Sequence, residues 1–181
     1  MNIVVMAGGR GSRMGGVEKP LLRICGKPII GRVISEATII SPRVYVAVSP
    51  HTPGTRRWCI ENDIEVIDTP GKSYPHDIGY ILDNISVPVL FLPADTPFLT
   101  HGVLKHFVEK ALSISREIIT LIVSKQCFPE PLARDTLSPI GISLFKNKRG
   151  YWANIIMCQF PDLLDIDTVE DLELARRLCG K

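Results

Sequence analysis

The chain has 181 residues, of which 45% are hydrophobic and 22% are charged, proportions that exclude a disordered or fibrous protein. This length suffices for one domain with a substantial core and is too short for two of ordinary size, so we predict a single domain over residues 1–181. The formal net charge of +2 is too close to balance for general nucleic-acid binding, and we expect no nucleic-acid partner.

Short apolar runs rich in β-branched residues alternate with longer amphipathic stretches, which is typical of a parallel α/β sheet. The predicted order is strand 2–6, helix 28–40, strand 43–48, helix 55–62, strand 64–67, helix 76–84, strand 87–92, helix 100–113, strands 118–123 and 140–145, and helix 168–178. We therefore predict a three-layer α/β/α fold with a mostly parallel, Rossmann-like sheet. Residues 125–139 contain three prolines and form either a mobile lid or a long connection.

The apolar runs and the cysteines indicate the cellular compartment of the protein and the redox state of its thiols. The apolar run at residues 3–6 is too short for a signal peptide, and no window approaches the ~20 apolar residues of a transmembrane helix. We expect a cytoplasmic protein without a membrane segment, as a monomer or a homodimer. The five cysteines are odd in number and lack a Cys-x-x-Cys pair, so we predict reduced, mostly buried thiols rather than disulfides or a zinc site.

Five glycines lie between positions 8 and 16, directly after the first predicted strand. Such a loop lets the backbone approach a ligand closely and presents N–H groups to phosphate oxygens. The loop does not match either of two common phosphate-binding motifs. Met14 occupies the third glycine position of the dinucleotide fingerprint, and Val17 occupies the lysine position of the P-loop. The loop therefore indicates neither a dehydrogenase nor a P-loop NTPase.

The same loop carries a family signature, Met6-Ala7-Gly8-Gly9-Arg10-Gly11-Ser12-Arg13-Met14 followed by Lys19-Pro20-Leu21. It resembles the signature of nucleotidyltransferases of the molybdopterin-guanylyltransferase and sugar-nucleotidyltransferase type. Together with residues 49–53 and 66–74, it is similar to the archaeal GTP:adenosylcobinamide-phosphate guanylyltransferases. The resemblance implies a fold of the nucleotide-diphospho-sugar transferase type. It also implies transfer of GMP from GTP to adenosylcobinamide phosphate in cobalamin biosynthesis, which gives adenosylcobinamide-GDP and pyrophosphate.

Two alternatives remain at this point. Residues 93–98 are at least as similar to the metal motif of the molybdopterin enzymes, which allows a molybdenum-cofactor guanylyltransferase or another small-molecule nucleotidyltransferase. The second alternative is a regulator that binds a nucleotide without turnover. The two acidic residues Asp95 and Asp167 argue against it, because binding does not by itself require two metal carboxylates.

Arg13 and Lys19 are the candidate cations for a triphosphate. An arginine presents a planar fork to phosphate oxygens and a lysine presents a point charge. The resemblance implies that both contact the triphosphate during catalysis, and the competing interpretation is that both are solvated surface charges. The candidate nucleotide-binding residues are Ala7, Gly8, Gly9, Gly11, Ser12, Arg13, Lys19, Ser49, His51, Thr52, Gly71 and Asp77. His51 departs from the asparagine that the archaeal family has in this loop.

Two aspartates are candidate ligands of Mg²⁺. Asp95 follows the buried predicted strand 87–92, where the carboxyl ends of parallel strands form a binding crevice, and it is also a catalytic candidate. The resemblance implies that Asp167 supplies the second carboxylate, and strand alternation would place Asp165 on the same face. For both Asp95 and Asp167 the competing interpretation is a cap at the start of the following helix.

The sequence gives fewer indications of where the acceptor substrate binds. A phosphate monoester is already anionic, so the transfer needs no general base, and the four histidines show no triad arrangement. Gly141 lies in a segment that resembles the acceptor-binding segment of the family and would allow close approach of a bulky corrinoid phosphate. The alternative is a glycine at the start of a strand.

Overall fold

A computed structural model describes residues 1–130, 132–133 and 136–180. Its elements in chain order are β1 (Asn2–Met6), β2 (Arg23–Ile24), β3 (Lys27–Pro28), α1 (Ile29–Ile40), β4 (Val44–Val48), α2 (Pro53–Glu61), β5 (Val66–Asp68), α3 (Tyr74–Asn84), β6 (Val89–Pro93), α4 (His101–Ser113), β7 (Ile118–Ser124), β8 (Leu137–Phe145), β9 (Trp152–Met157) and α5 (Val169–Leu178). Short 3₁₀ turns span Ser12–Met14, Lys19–Leu21 and Lys125–Cys127.

Within these ranges a seven-stranded sheet has the order β5-β4-β1-β6-β8-β7-β9. All its pairings are parallel except those of β8, which runs antiparallel to both β6 and β7. β2 and β3 form a separate antiparallel hairpin. The prediction of a mostly parallel α/β sheet is therefore confirmed.

Both faces of the sheet are buried under packed side chains. Successive side chains of a strand point to opposite faces, so the residues of one strand belong to two different cores. In β1, Ile3 and Val5 join the larger core with α1, α2, α4 and α5, while Val4 joins a smaller core with Ile81 of α3. All three β1 side chains are fully buried. The sheet thus lies between a layer of several helices and a layer that contains α3.

Most of the predicted elements are present, with ends shifted by a few residues. The capping pattern of residues 168–171 is a true capping box, since Thr168 and Asp171 exchange hydrogen bonds at the start of α5. The sequence reasoning missed β9 and the β2–β3 hairpin. None of the helices in the described part of the chain has the length and apolar character needed to cross a bilayer.

The prediction for the cysteines is wrong for four of the five. Cys25 bonds to Cys179, and Cys127 bonds to Cys158, whereas Cys59 is free and fully buried. The partners are 154 and 31 residues apart, so the fold brings together cysteines that sequence spacing does not pair. The first bond joins the β2–β3 hairpin to the end of α5.

The segment predicted as a lid or long connection contains a 3₁₀ turn at Lys125–Cys127 and the first residues of β8. Positions 131, 134 and 135 of this segment lie outside the described residues. A lid motion stays a prediction.

Candidate active site

The candidate site lies at the edge of the sheet where β1 and β6 end. The glycine loop follows β1, and Ala94 and Asp95 follow β6, which is paired with β1 in parallel. The carboxyl ends of parallel strands form the usual binding crevice of an α/β sheet. A cavity of about 290 Å³ opens there and is lined by Met6, Ala7, Gly9, Gly11, Ser12, Arg13, Lys19, Pro20, Ala94, Asp95 and Asp167.

Gly11 sets the shape of the loop. Its φ is +61°, a left-handed conformation, and its carbonyl oxygen accepts N–H bonds from Met14 at 2.9 Å and Gly16 at 3.0 Å. A Cβ atom at this position would overlap the carbonyl oxygen of Val17. The tight fold of residues 11–17 therefore requires glycine, and it directs the following chain toward Lys19.

Glu18 anchors the loop to the start of α2, a role that the sequence reasoning missed. Its carboxylate accepts the N–H of Gly54 at 2.9 Å and both the N–H and the hydroxyl of Thr55 at 2.6 Å. The N-cap residue of α2, Thr52, makes no side-chain capping bond, so Glu18 supplies the cap from outside the helix. The signal in the sequence was an acid inside an otherwise basic segment.

Lys19 joins the two predicted metal carboxylates. Its Nζ donates to Asp167 Oδ1 at 2.7 Å and to Asp95 Oδ2 at 3.1 Å, and the Lys19 side chain is 16% exposed. Arg13 Nη1 donates to the other oxygen of Asp167 at 2.7 Å. The structure thus brings together the four charged residues that the sequence assigned to triphosphate and metal, and excludes a solvated surface position for Lys19.

Burial and these contacts shift the pKa values of Lys19, Asp95 and Asp167, and the shifts differ in direction. Burial disfavours the charge on Lys19, but Asp95 and Asp167 more than offset this, and the Lys19 pKa is raised. Burial raises the pKa of Asp95 although Lys19 opposes the shift. The pKa of Asp167 is lowered because its hydrogen bond with Lys19 and the charges of Lys19, Arg13 and Lys125 outweigh burial.

The helix-cap interpretations of the two aspartates are wrong. The cap of α4 is Thr100, whose side chain accepts the N–H of Val103, and the cap of α5 is Thr168. Asp167 precedes that cap, and its N–H donates to Asp171 at 3.1 Å, which holds its carboxylate toward Lys19. Residues 164–167 are not part of a strand, so the predicted strand alternation at Asp165 is also wrong.

The other predicted nucleotide-binding residues form a wall beside the loop. Ser49 Oγ donates to the Gly8 carbonyl oxygen at 2.7 Å, and Gly71 packs closely against Ser49 and His51. His51 lies 3.2 Å from Nε of Arg10.

Two of the predicted nucleotide-binding residues, Thr52 and Asp77, stabilise this wall and do not line the cavity. Thr52 is fully buried, and its hydroxyl pairs with the backbone of Ser49, so its side chain does not reach the cavity. Asp77 is 6% exposed, and its carboxylate accepts the N–H of Gly71 at 3.1 Å. Both residues hold the loops in place and offer little surface to a base.

The predicted acceptor residue lies next to the end of β6. Gly141 has φ +87° and sits where the β7–β8 register shifts, between the pairs Thr120–Ser143 and Ile122–Pro139. Its carbonyl oxygen accepts the hydroxyl of Tyr74 at 3.2 Å. Such bulges are common beside active sites, where they redirect the chain.

The donor set fits Mg²⁺. Oxygens of Asp95 and Asp167 both lie within hydrogen-bond reach of a single cationic atom, Lys19 Nζ, so the two carboxylates already converge on one charge. Mg²⁺ takes one or two protein carboxylates and completes its shell with phosphate oxygens and water. Among the described residues no group of three or more His, Cys, Asp or Glu side chains is arranged to hold a metal ion.

Comparisons with known proteins agree with this geometry. The chain is 33% identical to an adenosylcobinamide-phosphate guanylyltransferase of Methanocaldococcus jannaschii, with 100% of this chain and 98% of that protein covered. It is 27% identical to a molybdenum cofactor guanylyltransferase of Vibrio cholerae over 59% of this chain and 52% of the relative.

A solved structure shares the fold. The molybdopterin-guanine dinucleotide biosynthesis protein A of Archaeoglobus fulgidus superposes with a TM-score of 0.71 at 16% identity, over 99% of both chains. Residues 3–146 match the family described as the MobA-like NTP transferase domain. The glycine loop, the Lys19 cluster and these matches together confirm the predicted enzyme class, and the chain belongs to the MobA-like NTP transferase family of nucleotidyltransferases.

Proposed function

We propose that this chain transfers GMP from GTP to adenosylcobinamide phosphate and releases pyrophosphate. The observation that carries the proposal is the convergence of Lys19, Asp95 and Asp167 beside the glycine loop, which combines a triphosphate cradle with paired carboxylates. The choice of acceptor is supported by the full-length similarity to the Methanocaldococcus jannaschii enzyme, whose name specifies a guanylyl transfer to that compound.

In the proposed reaction the loop N–H groups, Arg13 and Lys19 bind the triphosphate, and Asp95 and Asp167 hold Mg²⁺. The metal, when bound, neutralises charge that develops on the phosphate oxygens. An oxygen of the acceptor phosphate forms a new bond to the α-phosphorus of GTP. The bond from that phosphorus to the α–β bridging oxygen breaks, and its electron pair leaves with pyrophosphate.

No proton has to be removed from the acceptor, because a phosphate monoester is anionic near neutral pH. The demands on the protein are positioning and charge stabilisation. The cavity lining supplies two cations, Arg13 and Lys19, and two carboxylates, Asp95 and Asp167, for these purposes. Lys19 lies within reach of both carboxylates and of the cavity, so it can exchange a carboxylate for a phosphate oxygen when the nucleotide binds.

A molybdenum-cofactor acceptor is the second candidate. The Vibrio cholerae relative favours it, but that match covers 59% of this chain whereas the corrinoid enzyme matches all of it. A regulator without turnover has less support, since Lys19 holds both aspartates at the mouth of the loop. A location in the cytoplasm, and a monomeric or homodimeric state, stay predictions.

The test is pyrophosphate release with Mg²⁺, using GTP, ATP and CTP as donors. The acceptors are adenosylcobinamide phosphate, molybdopterin and none. We expect release with GTP and the corrinoid phosphate, and the product should contain a GDP bridge by mass spectrometry. Release with molybdopterin and not with the corrinoid would select the second candidate, and tight GTP binding without turnover on any acceptor would contradict the enzyme proposal.

A further inference from the structure

A third cation, Lys125, lies at the same edge of the sheet as the site, outside the cavity of the glycine loop. Lys125 directly follows β7, which runs in the direction of β1 and β6, and its N–H donates to the carbonyl of Thr136 just before β8. The glycine loop follows β1, Asp95 follows β6, and β8 and β7 come next in the sheet. Lys125 and the glycine loop are therefore on opposite sides of Asp95 along this edge.

The ammonium group of Lys125 faces Asp165, two residues before Asp167 of the candidate site. Its Nζ is 3.6 Å from Asp165 Oδ1, longer than a hydrogen bond, and 5.9 Å from the ring centre of Phe128. The side chains of Lys125 and Asp165 are 25% and 16% exposed. Two charges are thus largely withdrawn from water, and the distance between them is too long for a hydrogen bond.

The same 3.6 Å separation also determines how the Asp165 carboxylate is paired. Its Oδ1 is buried and has no hydrogen-bond partner among the residues that the structure describes. Leaving such an oxygen unpaired costs free energy, and most buried polar atoms of native proteins have a hydrogen-bond partner. A ligand that draws the Lys125 ammonium into a hydrogen bond, or brings a donor of its own, would complete the pair.

The proposed reaction brings a second anion to the triphosphate, and a cation beside the acceptor phosphate would offset its charge. The acceptor phosphate must reach the α-phosphorus from the side away from the leaving pyrophosphate, and two polyanions repel each other at that distance. Arg13 and Lys19 line the cavity of the glycine loop, so their charge serves the triphosphate. Lys125 is on the other side of Asp95 along the edge of the sheet, where its backbone pairs with Thr136 just before β8.

We propose that Lys125 binds the phosphate group of the acceptor and that Asp165 positions the Lys125 ammonium for this contact. The inference rests on the proposed function, since it assigns a part of the same site to the second substrate. The recognised chemistry is a phosphate monoester on a bulky organic group. The corrinoid portion of the acceptor makes its contacts elsewhere, so its binding does not depend on Lys125.

The experiment compares Lys125→Met, which keeps the packing against Phe128 without the charge, with Lys125→Arg, which restores a charge. Lys148→Ala is the matched control, because Lys148 is exposed in the turn at the opposite edge of the sheet. We expect Lys125→Met to raise the KM for adenosylcobinamide phosphate by about 10- to 100-fold and to leave the KM for GTP unchanged. Lys125→Arg should recover part of the loss, and Asp165→Asn should raise the acceptor KM by a smaller factor.

Adenosylcobinamide without its phosphate separates a phosphate contact from a general disturbance. Its affinity, measured by calorimetry or as a competitive inhibition constant, should be the same in the wild type and in Lys125→Met. An equal loss of affinity for both corrinoids, or an unchanged acceptor KM in Lys125→Met, would overturn the assignment of Lys125 while the proposed function stands. Failure of the wild type to turn over the corrinoid phosphate would overturn both.

Discussion

Lys19 donates a 2.7 Å hydrogen bond to Asp167, a residue 148 positions further along the chain. The family match ends at residue 146, so this contact completes the site with a segment that lies beyond the matched region. The C-terminal segment before α5 therefore contributes a side chain to the candidate site. Loss of the Asp167 carboxylate should affect the reaction as strongly as a change within the glycine loop.

Replacement of either Asp95 or Asp167, the two proposed metal ligands, should lower turnover far more than it lowers nucleotide binding. We expect Asp95→Asn and Asp167→Asn each to reduce kcat by about 100-fold or more, since charge stabilisation in the transition state is lost. GTP affinity measured with EDTA present should persist in both variants. Asp83→Asn, an exposed site on α3, is the control. Turnover at the wild-type rate in Asp95→Asn would reject its assignment as a metal ligand.

Lys19 lies between the two carboxylates that should bind a divalent cation, so it competes with that cation in the nucleotide-free protein. Lys19→Met should bind Mn²⁺ more tightly than the wild type when no nucleotide is present, as measured by calorimetry or electron paramagnetic resonance. The same variant should bind GTP about 10- to 100-fold more weakly, because a charged hydrogen bond to phosphate is removed. Weaker Mn²⁺ binding in Lys19→Met would contradict this arrangement.

The glycine loop allows a matched pair of substitutions. Gly11→Ala should destabilise the fold by more than about 1 kcal/mol, because the residue is left-handed and its Cβ would overlap Val17. Gly9→Ala should leave the melting temperature unchanged, because a Cβ there meets no atom within 4 Å. Thermal and urea unfolding of both variants measure the difference. Equal stability of the two would show that the loop does not need its left-handed turn.

Much of the fold was accessible from the sequence because the buried strands are continuous apolar runs. β6 illustrates this, since all of its residues from Val89 to Pro93 are buried. β9 was missed because Trp152 and Ile156 are exposed, so its apolar residues do not mark one buried face. The β2–β3 hairpin has two residues in each strand, too few for a periodic signal.

The candidate site, like the fold, could be predicted from the sequence only in part. Asp95 and the glycine loop could be predicted because each follows directly on a buried strand, and the edge of a parallel sheet brings such positions together. Glu18 could not be recognised as the cap of α2, and Asp165 could not be paired with Lys125, because these contacts depend on how distant segments pack. The disulfides were missed for the same reason.

A count of thiols tests the cysteine arrangement. Burial raises the pKa of Cys59 to about 11, so this thiol is neutral and inaccessible in the native protein at pH 8. We expect a thiol reagent at pH 8 to detect no reactive group in the native, non-reduced protein. One thiol should appear on unfolding without reductant, and all five after reduction. Five thiols in the unfolded, non-reduced protein would show that the cysteines are reduced, as the sequence had suggested.

The bond between Cys25 and Cys179 should stabilise the site as well as the fold. It ties the hairpin that follows Lys19 to the end of the helix that begins after Asp167, and it closes a chain separation of 154 residues. The double replacement Cys25→Ser/Cys179→Ser should lower the free energy of unfolding by about 3 to 5 kcal/mol.

The same double replacement should also weaken GTP binding, because the two segments that meet at Lys19 and Asp167 are less constrained. Unfolding and calorimetric titration of the double variant measure both effects. Wild-type stability and affinity in the double variant would show that this crosslink makes no contribution.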